Sequence, residues 1–220
     1  MTMKKLLPAA VLALMGSVLS PVASSAVITW STPFDTSGTG DVFNGGHAVE
    51  AFNIGASASN VTVNGVDFAS TDAILDRSAG VSFLDGATSG DAAYDDLLDS
   101  LDFGNGISYS FDIGGGSLTA GTKYLVQAWF TDLRSCCSGR TMVLGDGGAN
   151  TVGINAMGGG LGQFAIGTFI ADAATQTLSL ASPGFRNVHL SAYQVREVPA
   201  PATLLLMGIG LAGLCYRRKV

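Results

Sequence analysis

Lys123-Tyr124-Leu125-Val126-Gln127-Ala128-Trp129-Phe130-Thr131 is the stretch whose reading decides the fold. Side chains alternate across an extended strand, so Tyr124, Val126, Ala128 and Phe130 share one face. Leu125, Gln127, Trp129 and Thr131 share the other. The first face is apolar throughout and reads as core. The second mixes a tryptophan with polar residues, which leaves the surroundings of Trp129 open.

The same pattern extends outward in both directions. Similar runs lie at residues 49–54, 60–68, 107–113, 140–144, 151–155, 163–170, 175–180 and 187–196. Asn64-Gly65, Asp85-Gly86, Gly114-Gly115-Gly116, Asp146-Gly147-Gly148 and Pro183-Gly184 fall between them and read as turns. One segment breaks the strand pattern. In residues 91–101, Tyr94, Leu97, Leu98 and Leu101 recur at helical spacing behind Asp91, a residue suited to an N-cap. So many short strands with one short helix predict an all-β fold, an antiparallel two-sheet sandwich of jelly-roll type, over residues 27–197. That length is enough for a hydrophobic core without a disulfide framework.

The two ends read differently from this body. Lys4 and Lys5 precede an apolar run over residues 6–19, followed by small residues that end in Ser24-Ser25-Ala26. This is the layout of a secretory signal, so residues 1–26 are assigned to a signal peptide cut after Ala26. Residues 27–197 hold all 17 acidic residues against six basic ones, a charge near −11. Such a body repels nucleic acid and anionic lipid heads. Residues 198–220 form a third region: Val198-Pro199-Ala200-Pro201, an uncharged apolar run over 202–216, then Arg217-Arg218-Lys219. The prolines cannot propagate a helix from the body, and the basic end holds the cytoplasmic side. The run is short for a straight span of ~20 residues, but its long basic flanks extend it. A transmembrane helix is expected there, with the body outside.

This tail resembles the PEP-CTERM sorting signal of Gram-negative bacteria, on Val198, Pro199, Pro201, Ala202, Thr203, the leucines 204–206 and Arg217-Arg218. Ala200 stands where that family usually has Glu. The resemblance implies that an exosortase-type enzyme is a partner and processes the chain near the motif. The protein would be anchored in the inner membrane in transit, then placed at the cell surface or outside the cell.

The body resembles the galactose-binding-like jelly rolls of exported bacterial proteins. The residues that carry this are Leu118 to Tyr124 leading into Val126 to Phe130, then Asp132-Leu133-Arg134, Arg140-Thr141-Met142 and the Gly145-Asp146-Gly147 turn. The resemblance implies a non-catalytic carbohydrate-binding domain. Trp129, Asp132, Arg134 and Arg140 are its candidate ligand-binding residues, because a guanidinium, a carboxylate and an aromatic face suit sugar hydroxyls and rings. An exopolysaccharide or cell-wall glycan is the partner this suggests. The same charges also serve to brace a loop, the commoner use of such pairs.

Cys136 and Cys137 lie inside that loop. In an oxidising compartment they have three fates open: a vicinal disulfide, links to another chain, or two thiols. They lack the spacing of a metal site. The acidic residues of the helix lack the spacing of a calcium loop, so no cofactor and no metal are expected. Residues 35–46 and 146–150 are the loops where a structural calcium would fit best. His47 and His189 have no partners nearby in sequence, and no nucleophile elbow, zinc motif or phosphate loop is present. The reading is therefore not an enzyme. A structural or adhesive matrix protein without a small ligand is the alternative, and a carbohydrate-active enzyme the third.

Overall fold

The structure is a computed structural model that describes residues 26–137, 139–184 and 187–199. In chain order the strands are β1 (Thr29–Trp30), β2 (Phe34–Asp35), β3 (His47–Ile54), β4 (Val61–Val63), β5 (Val66–Thr71), β6 (Arg77–Ala79), β7 (Leu101–Phe103), β8 (Ser108–Ile113), β9 (Lys123–Phe130), β10 (Thr141–Gly145), β11 (Thr151–Asn155), β12 (Gln163–Ile170), β13 (Gln176–Ala181), β14 (His189–Leu190) and β15 (Ala192–Glu197). One α-helix, α1 (Ala92–Leu98), lies between β6 and β7. The protein is thus mostly β, as the alternation predicts. The expected signal peptide (1–26) and tail helix (within 198–220) lie almost wholly outside the described residues. Among the described residues, no helix is long and apolar enough to cross a membrane.

The strands form an eight-stranded sheet in the order β1-β12-β9-β15-β3-β5-β4, with β2 also paired to β12. A four-stranded sheet runs β11-β10-β13-β8, and a three-stranded one β14-β7-β6. Pairing is antiparallel except between β3 and β5, which run parallel. The expected antiparallel two-sheet sandwich is corrected by this parallel pair and by the third, smaller sheet. Short pieces at the margins, such as β1 and β2, are too brief to show a period and have no counterpart in the alternation reading.

Strand β9 sits inside the large sheet, paired to β12 on one side and β15 on the other. Both of its faces are buried. Tyr124, Val126, Ala128 and Phe130 join Met142, Leu144, Leu178 and Leu180 in the core between the two larger sheets. Trp129 joins Phe68, Tyr94, Leu97, Leu98 and Phe164 in a second core on the opposite face. Helix α1 supplies part of that second core. Asp91 caps it, accepting from the backbone N–H groups of Ala93 and Tyr94, both at 3.0 Å. Leu101, expected as its fourth apolar position, is instead the first residue of β7. The hairpin β4–β5 turns at Asn64-Gly65, both with positive φ (49° and 74°), which Asn and Gly tolerate best.

Gln127 shows how a polar residue enters this second core. Its side-chain oxygen accepts from Phe43 N–H (3.0 Å) and Gln194 Nε2 (2.8 Å), and its Nε2 donates to Asp41 O (2.7 Å). The amide is fully buried and satisfied.

The register fixes two poles. Glu197 pairs with Tyr124 and His47, and Ile170 with Lys123, so the end of β15 and the start of β9 lie together. The N-terminal end of the described chain joins them, since Val27, Lys123 and Ile170 line one groove. At the far end of β9, Phe130 leads into the loop 131–140. The seven steps of about 3.3 Å between the ends of this eight-residue strand separate the poles by about 23 Å.

Candidate functional site

The loop after β9 is organised by one carboxylate. Asp132 is wholly buried. Arg134 grips it with two hydrogen bonds, Nε to Oδ1 at 2.8 Å and Nη2 to Oδ2 at 2.9 Å. Arg140 Nη1 donates to the same Oδ2 at 3.0 Å. The two-point contact is the strong geometry for a guanidinium and a carboxylate. It raises the Arg134 pKa above its ordinary value, while burial lowers that of Arg140. Arg134 also lies over the ring of Phe83, with its guanidinium carbon 4.3 Å from the centroid. Three of the four candidate ligand residues are therefore brought together.

Trp129 is the fourth, and it is placed elsewhere. It is fully buried, with Phe68 edge-on at 5.9 Å and Phe164 at 6.0 Å. A ring covered on both sides has no face to offer a sugar. The expected stacking platform at Trp129 is corrected on this ground: its polar strand neighbours are themselves buried. Tyr124 is likewise buried, and Trp30 and Tyr109 pack against the core.

His189 belongs to the cluster, and sequence reasoning left it without a partner. It comes from β14, and its Nε2 lies 2.7 Å from Arg140 Nη1. Arginine only donates, so this ring nitrogen accepts and the imidazole is neutral. Burial first, then the Arg140 cation, lower its pKa from 6.5 to about 4. Phe103 and Phe130 flank the ring, each at 6.0 Å. No local signal could reveal this, because 49 residues separate the pair.

Cys136 and Cys137 form the tip. The two sulfurs are joined to each other, Cys136 exposed and Cys137 buried. Tight turns hold the tip from both sides: Cys137 N–H donates to Arg134 O (2.8 Å) and Arg140 N–H to Cys137 O (3.1 Å). The result is a stiff loop whose two guanidiniums share one buried carboxylate. It carries one net positive charge on a strongly acidic body. Arg134 and Arg140 keep 29% and 20% of their side chains exposed, enough for an edge to meet a ligand.

The loops expected to suit calcium are satisfied internally. Asp146 accepts from Ile28 N–H, Gly148 N–H and Asn150 Nδ2 at 3.1, 2.8 and 3.2 Å. Asp41 accepts from Ser37 N–H, Gly38 N–H and the Tyr94 hydroxyl. Among the described residues, no group of three or more His, Cys, Asp or Glu is placed to hold a metal.

At the opposite pole the body ends in Glu197-Val198-Pro199. Glu197 is still a sheet residue, and Val198 N–H donates to Lys123 O at 2.9 Å. Residues 197–219 match the PEP-CTERM protein-sorting motif. The match begins one residue before the expected boundary and covers the Val198-Pro199-Ala200-Pro201 stretch. The sorting motif implies export along a cell-envelope route and processing by an exosortase-type enzyme. Ala200 and Pro201 lie outside the described residues. No curated protein and no solved structure matches the chain.

Proposed function

We propose that this is an exported, non-catalytic surface module with a jelly-roll-like body, carried by its sorting tail and presenting the loop 131–140 to a surface polysaccharide. The observation that supports this is the placement of the two features. The tail leaves one pole of the sandwich, and the stiff, locally cationic loop stands at the other. A protein tethered by its tail would therefore hold Arg134 and Arg140 outward. The ligand class is an exopolysaccharide or cell-wall glycan, whose hydroxyls are met by guanidinium edges rather than by ring stacking. The tail would anchor the protein in the inner membrane of a Gram-negative cell until processing.

The burial of Trp129 favours a second reading. With that ring removed from the surface, the body could act as a structural or adhesive matrix protein with no small ligand. Sedimentation of the purified body with polysaccharide from the host separates the two. Binding that weakens several-fold in Arg134→Ala and persists in Trp129→Phe supports the first reading. Absence of binding to any host polysaccharide sinks it and leaves the structural role.

A further inference from the structure

The sorting motif and the folded body overlap, and the overlap is built into the middle of the large sheet. Strand β15 is an interior strand, paired to β9 on one side and β3 on the other. Its last residue, Glu197, is also the first residue of the motif. Val198 continues the ladder through its hydrogen bond to Lys123 O. Gly46 fits against the same residues at φ +72°: a Cβ there would lie 1.9 Å from Glu197 O and 3.2 Å from Pro199 Cδ. The backbone of 197–199 thus passes Gly46 so closely that only glycine fits, although the side chains of Glu197 and Pro199 are exposed and that of Val198 is half-buried.

Arg196 locks this close approach. It is 6% exposed. Its guanidinium donates to Gly45 O (2.8 Å), Asn44 O (3.1 Å) and Gly46 O (3.1 Å). These carbonyls belong to the loop that closes over the end of β15. Burial lowers the Arg196 pKa, but the carbonyl oxygens supply the acceptors the cation needs.

A processing enzyme must take its substrate in extended form. It cannot do so with an interior strand without breaking two ladders and the Arg196 clamp. We propose that the fold holds the backbone of the sorting motif in place through Pro199, so that processing of the folded protein cuts C-terminal to Pro199 and the mature body keeps Glu197-Val198-Pro199. The cut breaks one peptide C–N bond; water gives its hydroxyl to the new carboxyl group and a proton to the released amine. This inference rests on the sorting reading above. It also bounds the geometry. Only Ala200 and Pro201 separate Pro199 from the apolar run that starts at Ala202. Three extended residues reach about 10 Å. The enzyme must therefore work against the tail pole itself.

Two measurements test this. The first is brief proteinase K digestion of the full chain in detergent, with fragment ends read by mass spectrometry, alongside hydrogen exchange at the Val198 amide. The proposal expects early tail cuts only after Pro199, and slow exchange at Val198. Equally early cuts between Arg196 and Pro199, or free exchange at Val198, would overturn it. Arg196→Ala should move the early cuts upstream into β15. The second is the C-terminus of the protein recovered from its host. A chain ending at Pro199 or beyond agrees, and one ending at or before Val198 contradicts the proposal. A host protein with its tail uncut would instead count against the sorting reading, while the protease boundary would still decide this one.

Discussion

The two poles of the sandwich hold their arginines in opposite ways. At the tail pole, Arg196 donates to three backbone carbonyls of one loop. At the far pole, Arg134 and Arg140 converge on a single buried carboxylate. The first arrangement fastens backbone to backbone and holds the chain in place where it leaves the body. The second fastens a loop to itself while leaving guanidinium edges in solvent. One pole is built to hold and the other to present.

The largest expected effect breaks the presenting pole. In Asp132→Ala, Arg134 and Arg140 lose their shared counter-ion, and His189 is left beside an uncompensated cation. Removing one partner of such a buried cluster costs about 3–5 kcal/mol. Urea denaturation should show that loss as a lower midpoint with an unchanged slope.

Protonation attacks the same pole more gently. The unfolded chain binds a proton on His189 near pH 6.5, while the folded protein resists it until about pH 4. The unfolded state therefore holds more protons across that window, and stability falls as pH drops from 6.5 to about 4. The full shift corresponds to on the order of 3 kcal/mol. His189→Gln keeps an acceptor for Arg140 and should flatten this limb of a stability–pH curve, leaving the carboxylate contributions behind.

At the holding pole, Arg196→Met should cost about 2 kcal/mol, since charge-assisted hydrogen bonds to three carbonyls are lost while the stem still packs. The contrast lies in where the damage appears. Hydrogen exchange should speed up at residues 44–46 and at Val198 but not in the loop 131–140.

Reduction of Cys136–Cys137 should give the smallest effect. A bridge between neighbours closes almost no chain, so it removes little entropy from the unfolded state, and less than about 1 kcal/mol is expected. Calorimetry with and without reductant checks this. A large drop in Tm would mean that the tip, rather than Asp132, holds the loop.

Much of this fold was legible where the alternation was long. The runs at 151–155 and 163–170 coincide with β11 and β12, and Asp91 caps α1 as its position suggested. What escaped was set by distant contacts. The mixed face of β9 reads as half-solvated, yet Gln127 is buried because Asp41 and Phe43, 86 and 84 residues away, complete its hydrogen bonds. Trp129 is covered for the same reason, by β5, β12 and α1. His189 joined the cluster through Arg140, with nothing beside it in sequence to say so. By contrast, the tail was legible, because its proline motif, apolar run and basic end lie side by side. The one thing it hid was that its first residue is already part of the sheet.

The account's central claim is that tail and loop stand at opposite poles, so that a tethered protein presents Arg134 and Arg140 away from the membrane. The direct test places a genetically encoded fluorophore at Asp172 or at Ser135 in the full chain, reconstituted in nanodiscs with a headgroup-attached quencher. Strong quenching at Asp172 and little at Ser135, in the loop that follows the far end of β9, is the predicted result. Equal quenching at both positions, or stronger quenching at Ser135, would contradict the account.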